Sequence, residues 1–545
     1  MVFKSRKITL HLLNHWVGYL FLATLVISIP LLVIFGNIFS DGGGTWQHIT
    51  KNLLPGYVIN TVLLMTGVAL ITFMIGVGAA WTVTMYRFPG HRIFQWLLIL
   101  PIALPAYISG FTWAGILDYT SPVYVFMRNT FGTDTGQYLF FDILSLPGAV
   151  IIFSLSLYPY VYLLTRAYFL NQSQTLFEAT ASLGLSPWQT FYRVALPMAR
   201  PAFVAGISLV LMEVLNDYGL VKYFGVDTFT TGIFNAWFAF GNIHAAMKLS
   251  GFLMVFVLVL ILLERRQRGK MRFDAGAGGR NVRSKKLKGW KALLSLLLVS
   301  LPFLAGFLFP FVMLIYWTAI VFHDIFTVQF LALMQNSFLL AIMAAVAVVV
   351  VSVLVVFTVR TYPLKSVKIA ARTSTLGYAL PGAVVAIGIL VAFLWLETQM
   401  TVLSGPGFRL ALVGTWFALV YAYLVRFMAI GYNSIESGNE RIPVHLDHAS
   451  RSLGVSKMKT LFMIILPLLK GSLPAAALLV FIDVLKELPL TLILRPFNFD
   501  TLAIRAFEYA NDERLAEAAP AAIIIVIMGL IPVYLLNKML RRSHI

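Results

Sequence analysis

A chain of 545 residues that is 59% hydrophobic and only 12% charged lacks the polar surface of a water-soluble globule, in which about a quarter of residues are charged. Its net charge of +19 invites a nucleic-acid reading, but the basic residues gather in alternate loops, and that placement argues against one. The absence of cysteine excludes disulfides, thiolate metal sites, iron–sulfur clusters and a cysteine nucleophile.

A helix needs about 20 apolar residues to cross a bilayer. Twelve runs qualify, at 16–39, 58–85, 93–117, 147–169, 201–221, 245–263, 291–320, 332–358, 369–396, 409–430, 472–494 and 519–539. Transmembrane strands would be about half as long. The predicted fold is therefore an all-α integral membrane protein with about twelve transmembrane helices. Lys4, Arg6 and Lys7 precede the first run, which reads as a retained span because no small-residue cleavage site follows it. Arg87 and Arg92 lie between runs two and three. Eleven basic residues fill the tract from Arg265 to Lys291, Lys365, Lys368 and Arg372 lie between runs eight and nine, and Lys538, Arg541 and Arg542 end the chain. The other loops carry few cations, apart from a mixed-charge stretch at 495–517. This positive-inside pattern predicts both termini in the cytoplasm. Trp16, Trp46 and Trp96 read as interfacial anchors.

The chain reads as a tandem duplication: a first half at 1–264, a basic cytoplasmic linker at 265–290 and a second half at 291–545. Asn60-Thr61 is matched by Asn336-Ser337, and Ala103-Leu104-Pro105 by Ala379-Leu380-Pro381. Arg166 is matched with Arg426, and Glu213 and Asp217 with Asp483 and Glu487. Six spans per half insert both halves the same way up, giving two parallel six-helix repeats.

The most informative segments are two loops, 175–197 and 445–467. The first reads Glu178-Ala179-Thr180-Ala181-Ser182-Leu183-Gly184, nine residues, then Val194-Ala195-Leu196-Pro197. The second reads His448-Ala449-Ser450-Arg451-Ser452-Leu453-Gly454, nine residues, then Ile464-Ile465-Leu466-Pro467. Thr175 and Glu178 have capping-box spacing. Ala179, Thr180 and Ser182 are small enough to admit another surface, and Gly184 can end the helix in a left-handed conformation. Ser186-Pro187 then opens the next helix, with Ser456 repeating the cap. A helix–glycine–helix elbow follows in each half.

This elbow resembles the Glu-Ala-Ala loop of ABC importer permeases. The first copy departs from that pattern at Thr180 and Val194. The second departs at His448 and Ser450 but keeps Gly454 and the closing Leu466-Pro467. The resemblance implies a type I ABC importer permease-like fold in a bacterial inner membrane. It further implies that Glu178, Ala179, Gly184, Leu196, Pro197, His448, Ala449, Gly454, Leu466 and Pro467 form coupling loops docked on two copies of a cytoplasmic ATPase subunit. The chain has no Gly-x-x-x-x-Gly-Lys-Ser/Thr loop, so ATP and magnesium are expected in that partner, and no cofactor in this chain.

Glu213 and Asp217, four apart, are expected on one helix face, as are Asp483 and Glu487, with Lys486 beside them. Ionisable groups at such depth line a pathway or gate, or serve as interhelical polar glue with Lys486 pairing an acid. His445 and His448 are too few for a metal site. The segments Leu488–Phe497, Phe499–Ala503 and Asp512–Ala518, with Pro105-Ala106-Tyr107 and Leu117-Asp118-Tyr119, are similar to the ferric-iron subgroup of fused permeases. That similarity implies a periplasmic binding protein as donor. Asp512, Glu513 and Glu517 read as a solvated face or as a contact for that donor. Thiamine and phosphonate permeases share the plan. An ion-coupled secondary transporter of six plus six spans gives the same hydropathy but no reason for two elbows, and a channel is neither demanded nor supported.

Overall fold

The computed structural model is helical almost throughout and describes residues 15–39, 43–131, 142–172, 174–268, 284–404 and 411–542. The basic amino terminus and most of the linker lie outside the described residues. In chain order the principal helices of the first half are α1 (His15–Asn37), α2 (Leu54–Met85), α3 (His91–Leu97), α4 (Ala106–Ile116), α5 (Leu146–Leu170), α6 (Gln174–Ser182), α7 (Pro187–Thr190), α8 (Arg200–Asn216), α9 (Gly219–Tyr223) and α10 (Ile243–Arg268). The second half supplies α11 (Trp290–Phe303), α12 (Phe309–Ile320), α13 (Val328–Thr361), α14 (Lys365–Thr373), α15 (Gly382–Ser404), α16 (Trp416–Glu440), α17 (His445–Ser452), α18 (Lys457–Thr460), α19 (Ser472–Leu485), α20 (Pro489–Leu494) and α21 (Leu515–Arg542). Among the described residues nine helices are long and apolar enough to cross a bilayer, and up to twelve when each of three sharply bent pairs is one span. Helices satisfy every backbone group within the segment, which a hydrocarbon solvent requires.

Two predicted spans differ in form. The third, 93–117, is α3, a 3-10 turn at Leu100–Ala103 and α4, bent by 96°. The ninth does not start at 369. There α14 buries Val367, Ala370 and Ala371 and exposes its cations, a turn follows at Leu376–Ala379, and the long helix starts at Gly382. The cause is the repeated Ala-Leu-Pro: Leu104 and Leu380 are extended, at ψ 104° and 142°, because a following proline disfavours the helical region. Hydropathy averages across such a break.

The chain forms two compact units. One comprises residues 1–43, 233–254 and 327–504, the other 44–232, 255–326 and 505–545. In the first, α13, α16 and α19 pack on one another, and α1 lies on α15 and α14, where Thr24 Oγ1 donates to Ala370 O at 3.2 Å. In the second, α2 and α8 both pack on α5. Gly76 and Gly206 make that possible: a β-carbon on either would stand 2.7 Å from atoms of Val161. The span formed by α11 and α12 joins this unit, with Trp113 Nε1 donating to Ala305 O at 2.9 Å. Each unit thus holds the first span of the other sequence half.

The repeated Asn-Thr/Ser pairs also have a shared role. Thr61 Oγ1 accepts from Phe229 N at 3.4 Å, and Ser337 Oγ accepts from Leu502 N at 2.8 Å.

Candidate functional site

The two elbows are built alike. α6 ends at Gly184 (φ +74°) and α17 at Gly454 (φ +69°). Leu185 N donates to Thr180 O at 3.1 Å and Gly184 N to Ala181 O at 3.0 Å; Val455 N to Ser450 O and Gly454 N to Arg451 O repeat these bonds at 3.1 and 3.0 Å. This is the Schellman arrangement, in which the left-handed residue lets the chain fold back onto the last carbonyls. Ser186 Oγ then accepts from Gln189 N at 3.3 Å while Gln189 Oε1 accepts from Ser186 N at 2.8 Å. Ser456 Oγ accepts from Lys459 N at 3.4 Å. A single π-helical turn follows in each copy, at Phe191–Ala195 and Leu461–Ile465. The chain then bends by 68° into α8 and by 77° into α19.

The expected capping box rests on the Thr175 side chain, which lies outside the described residues. α6 starts one residue earlier, at Gln174, and Glu178 Oε1 accepts from the Gln174 side chain at 2.6 Å. Thr180 is not part of an outward surface. It is buried, and its hydroxyl lies 3.3 Å from that of Thr190 across the elbow. Ser450 and Thr460, in the same places, meet at 2.6 Å. These hydroxyl latches hold the two arms of each elbow together. Thr460→Val should cost about 1 kcal/mol, read as a lower thermal midpoint of the purified chain, and Thr190→Val, which loses the longer bond, should cost less.

The outward face carries Glu178, Ala179, His448 and Ala449, all exposed, with Pro197 and Pro467 exposed and Leu196 and Leu466 half-buried. Large apolar groups stand beside them at matching positions: Leu183 and Leu453, Trp188 and Met458, Tyr192 and Phe462, each more than half exposed. A repeated exposed apolar patch on an otherwise polar loop marks a surface that meets a protein or a membrane.

The elbows are anchored differently. At the end of α13, Arg360 Nε lies 2.6 Å from Asp447 Oδ2 of α17, and its Nη groups donate to Asn439 O and Oδ1, Ile442 O and Pro443 O at 3.0–3.2 Å. Lys457 Nζ donates to Tyr362 Oη. Sequence reasoning missed this clamp, whose members lie 87 residues apart; the one available sign was an acid within α17. In the first half Thr84 and Phe177 occupy those places in the sequence, and Trp81 instead packs at a tilt against Phe191 and edge-on against Phe169, at centroid distances of 5.0 and 5.4 Å.

The candidate pathway acids sit at a second break in spans five and eleven. α8 ends at Asn216, and Asp217 is extended (ψ 131°) with Oδ1 accepting from Leu220 N at 2.7 Å. α19 ends at Leu485, and Glu487 Oε1 accepts from Leu490 N at 3.3 Å. Asp217 and Glu487 therefore start the short helices α9 and α20, where an acid suits the positive helix end. They do not share a helix face with Glu213 and Asp483, because the helix stops between them. Lys486 pairs with Asp483 at 2.7 Å. Glu487 is buried, and its Oε2 lies 3.5 Å from Arg426 Nε. Arg426 Nη1 also donates to Leu380 O.

Arg166 and Arg426 are not equivalent residues. The caps Ser145 and Thr415 start α5 and α16, and the buried Tyr162 and Tyr432 align at the same spacing. That register puts Glu436 in the place of Arg166, and Ser156 in the place of Arg426.

Comparison with known proteins matches residues 72–264 and 365–544 to the family of binding-protein-dependent transport system inner membrane components. The Fe(3+)-transport system permease protein FbpB 2 of Haemophilus influenzae is 29% identical over 486 residues, 88% of this chain and 89% of that protein. The putative ferric transport system permease protein FbpB 1 of the same organism is 24% identical over 83% of this chain and 73% of its own length. A probable sulfate transport system permease protein cysT of Chlorokybus atmophyticus is 29% identical over 40% of this chain and 74% of its own length.

Proposed function

The chain belongs to the family of binding-protein-dependent transport system inner membrane components, and we propose that the solute it passes is ferric iron. It is a multi-pass permease of an ABC importer in the inner membrane. One observation carries the iron reading: similarity to an Fe(3+) permease extends over 88% of the chain, whereas the sulfate permease match covers 40%.

In this reading both termini and both elbows face the cytoplasm, and two copies of an ATPase subunit, holding ATP and magnesium, take the elbows. Leu183, Trp188 and Tyr192 fill a cleft on one copy, and Leu453, Met458 and Phe462 fill it on the other. Each elbow runs directly into a span, α8 or α19, so movement of a docked ATPase reaches the second break at Asp217 or Glu487. Glu213 and Asp483 stand one helical turn before those breaks, where a change of bend alters the lining of a pathway. A periplasmic binding protein delivers the iron at the other face. Access alternates as the ATPase pair closes and opens.

The test is ATP turnover by the complex reconstituted in vesicles with a loaded binding protein. The ferric-loaded form should stimulate hydrolysis. Stimulation by sulfate-, thiamine- or phosphonate-loaded protein, and none by the ferric form, rejects iron. The purified chain alone should show no turnover, and hydrolysis without a co-purifying subunit contradicts the division of labour.

A further inference from the structure

The cations around the loop between α2 and α3 are needed by neither the elbows nor the helix breaks. The chain leaves α2 at Met85 and makes the short strand Tyr86–Arg87, which pairs in parallel with Lys285–Lys286. Gly90, at φ +77°, then turns it into α3. Beside this turn lies an open pocket of about 1050 Å³ lined by three guanidinium groups, Arg87, Arg92 and Arg166, and by no carboxylate among the described residues.

Pairing of these cations is incomplete. Arg87 Nε donates to Ser284 Oγ at 2.6 Å. Arg166 donates from Nη2 to Gln95 Oε1 at 2.9 Å and lies 5.8 Å from the Trp96 ring centroid, yet its Nε is buried with no partner. None of the three meets an acid among the described residues. Like charges gathered beside a low-dielectric wall repel strongly unless an anion joins them. The other half provides the contrast: Glu436, in the place of Arg166, pairs with Arg372 at 3.1 Å. There an acid answers the arginine, and in the first half none does among the described residues.

The rest of the lining indicates the source of the anion. Ile93 is 62% exposed and Leu170 39% exposed, and both line the same pocket. Guanidinium forks match phosphate oxygens, and an exposed apolar rim beside them suits an acyl chain, from which a hydrated free anion gains nothing. Trp96 completes an arrangement typical of headgroup depth. The loop charges assign this end to the cytoplasmic leaflet, where anionic lipids attract basic residues. We propose that this pocket binds the phosphate of an anionic glycerophospholipid, with the acyl chains lying along the Ile93 and Leu170 rim. The proposal requires the chain to sit in a bilayer but does not depend on the solute being iron.

Native mass spectrometry of the full chain, released from vesicles of equal phosphatidylglycerol and phosphatidylcholine, tests this. Wild-type chain should keep phosphatidylglycerol in preference, and Arg87→Gln with Arg92→Gln should lower that preference by at least about tenfold, since each basic residue near a membrane surface contributes roughly fivefold. Arg372→Gln, in the other half, should leave it unchanged. Two measurements need only the wild-type chain. Its preference should fall in high salt and should survive millimolar inorganic phosphate. Unchanged retention in the double variant, a salt-independent preference, or complete displacement by inorganic phosphate would each overturn the lipid site.

Discussion

Glutamate at Gly184 and Gly454 together is expected to abolish substrate-stimulated ATP hydrolysis while leaving membrane insertion intact. Both glycines are left-handed, and a β-carbon at either position meets nothing within 4 Å. The substitution therefore has two separable consequences. The backbone term is strain of roughly 1–2 kcal/mol per site for an L side chain in that region, too small to unfold a bundle of this size. The second term is the side chain itself, whose β-carbon has open space around it next to Leu183 or Leu453, on the surface proposed to take the ATPase. Burying an unpaired carboxylate in an apolar contact costs several kcal/mol, so coupling should fall by at least about a hundredfold. Asparagine at the same sites separates the two terms, because it tolerates the left-handed region without adding charge. The reconstituted complex carrying Gly184→Asn with Gly454→Asn should hydrolyse ATP near the wild-type rate. If the double glutamate variant still responds to loaded binding protein, the elbows are not the docking surface.

The elbows were legible in the sequence because their chemistry is local. A glycine that must be left-handed, a serine cap and a proline lie within a few residues, and the 270-residue spacing from Gly184 to Gly454 shows them twice. The latches are also written there, as hydroxyl residues ten apart in both copies, but Thr180 reads first as a small residue and Ser450 as a departure from the Glu-Ala-Ala pattern. The helix breaks were not legible from hydropathy, since a window of about 20 residues averages over Leu104-Pro105 and over Asp217. Matching Arg166 with Arg426 followed charge identity where the caps Ser145 and Thr415 give the true register. The clamp of Arg360 on Asp447 and the exchange of first spans between compact units depend on neighbours distant in the chain, and hydropathy locates spans without naming their neighbours.

Removing either member of the Arg426–Glu487 pair is expected to destabilise the chain by about 3–5 kcal/mol, seen as a large fall in thermal midpoint for Arg426→Ala or Glu487→Ala. Both side chains are 6% exposed, so the survivor would be a buried charge facing a cavity. The double variant should behave differently. At 3.5 Å, with Arg426 Nε forming no hydrogen bond, the attraction is charge on charge without good hydrogen-bond geometry, and such a pair barely offsets the desolvation of its members. Arg426→Met with Glu487→Gln, which removes both charges and keeps a side-chain oxygen to accept from Leu490 N, should recover most of the loss. The first half does without the pair in another way: Ser156 stands in the place of Arg426, while the acid is kept as Asp217, which is only half-buried, and α9 still starts on the Asp217 side chain. The charge pair is thus an addition in one repeat rather than a requirement of the six-span plan. A double variant as unstable as either single one would show instead that Arg426 and Glu487 each hold separate neighbours, Leu380 O and Leu490 N, and that their mutual attraction is incidental.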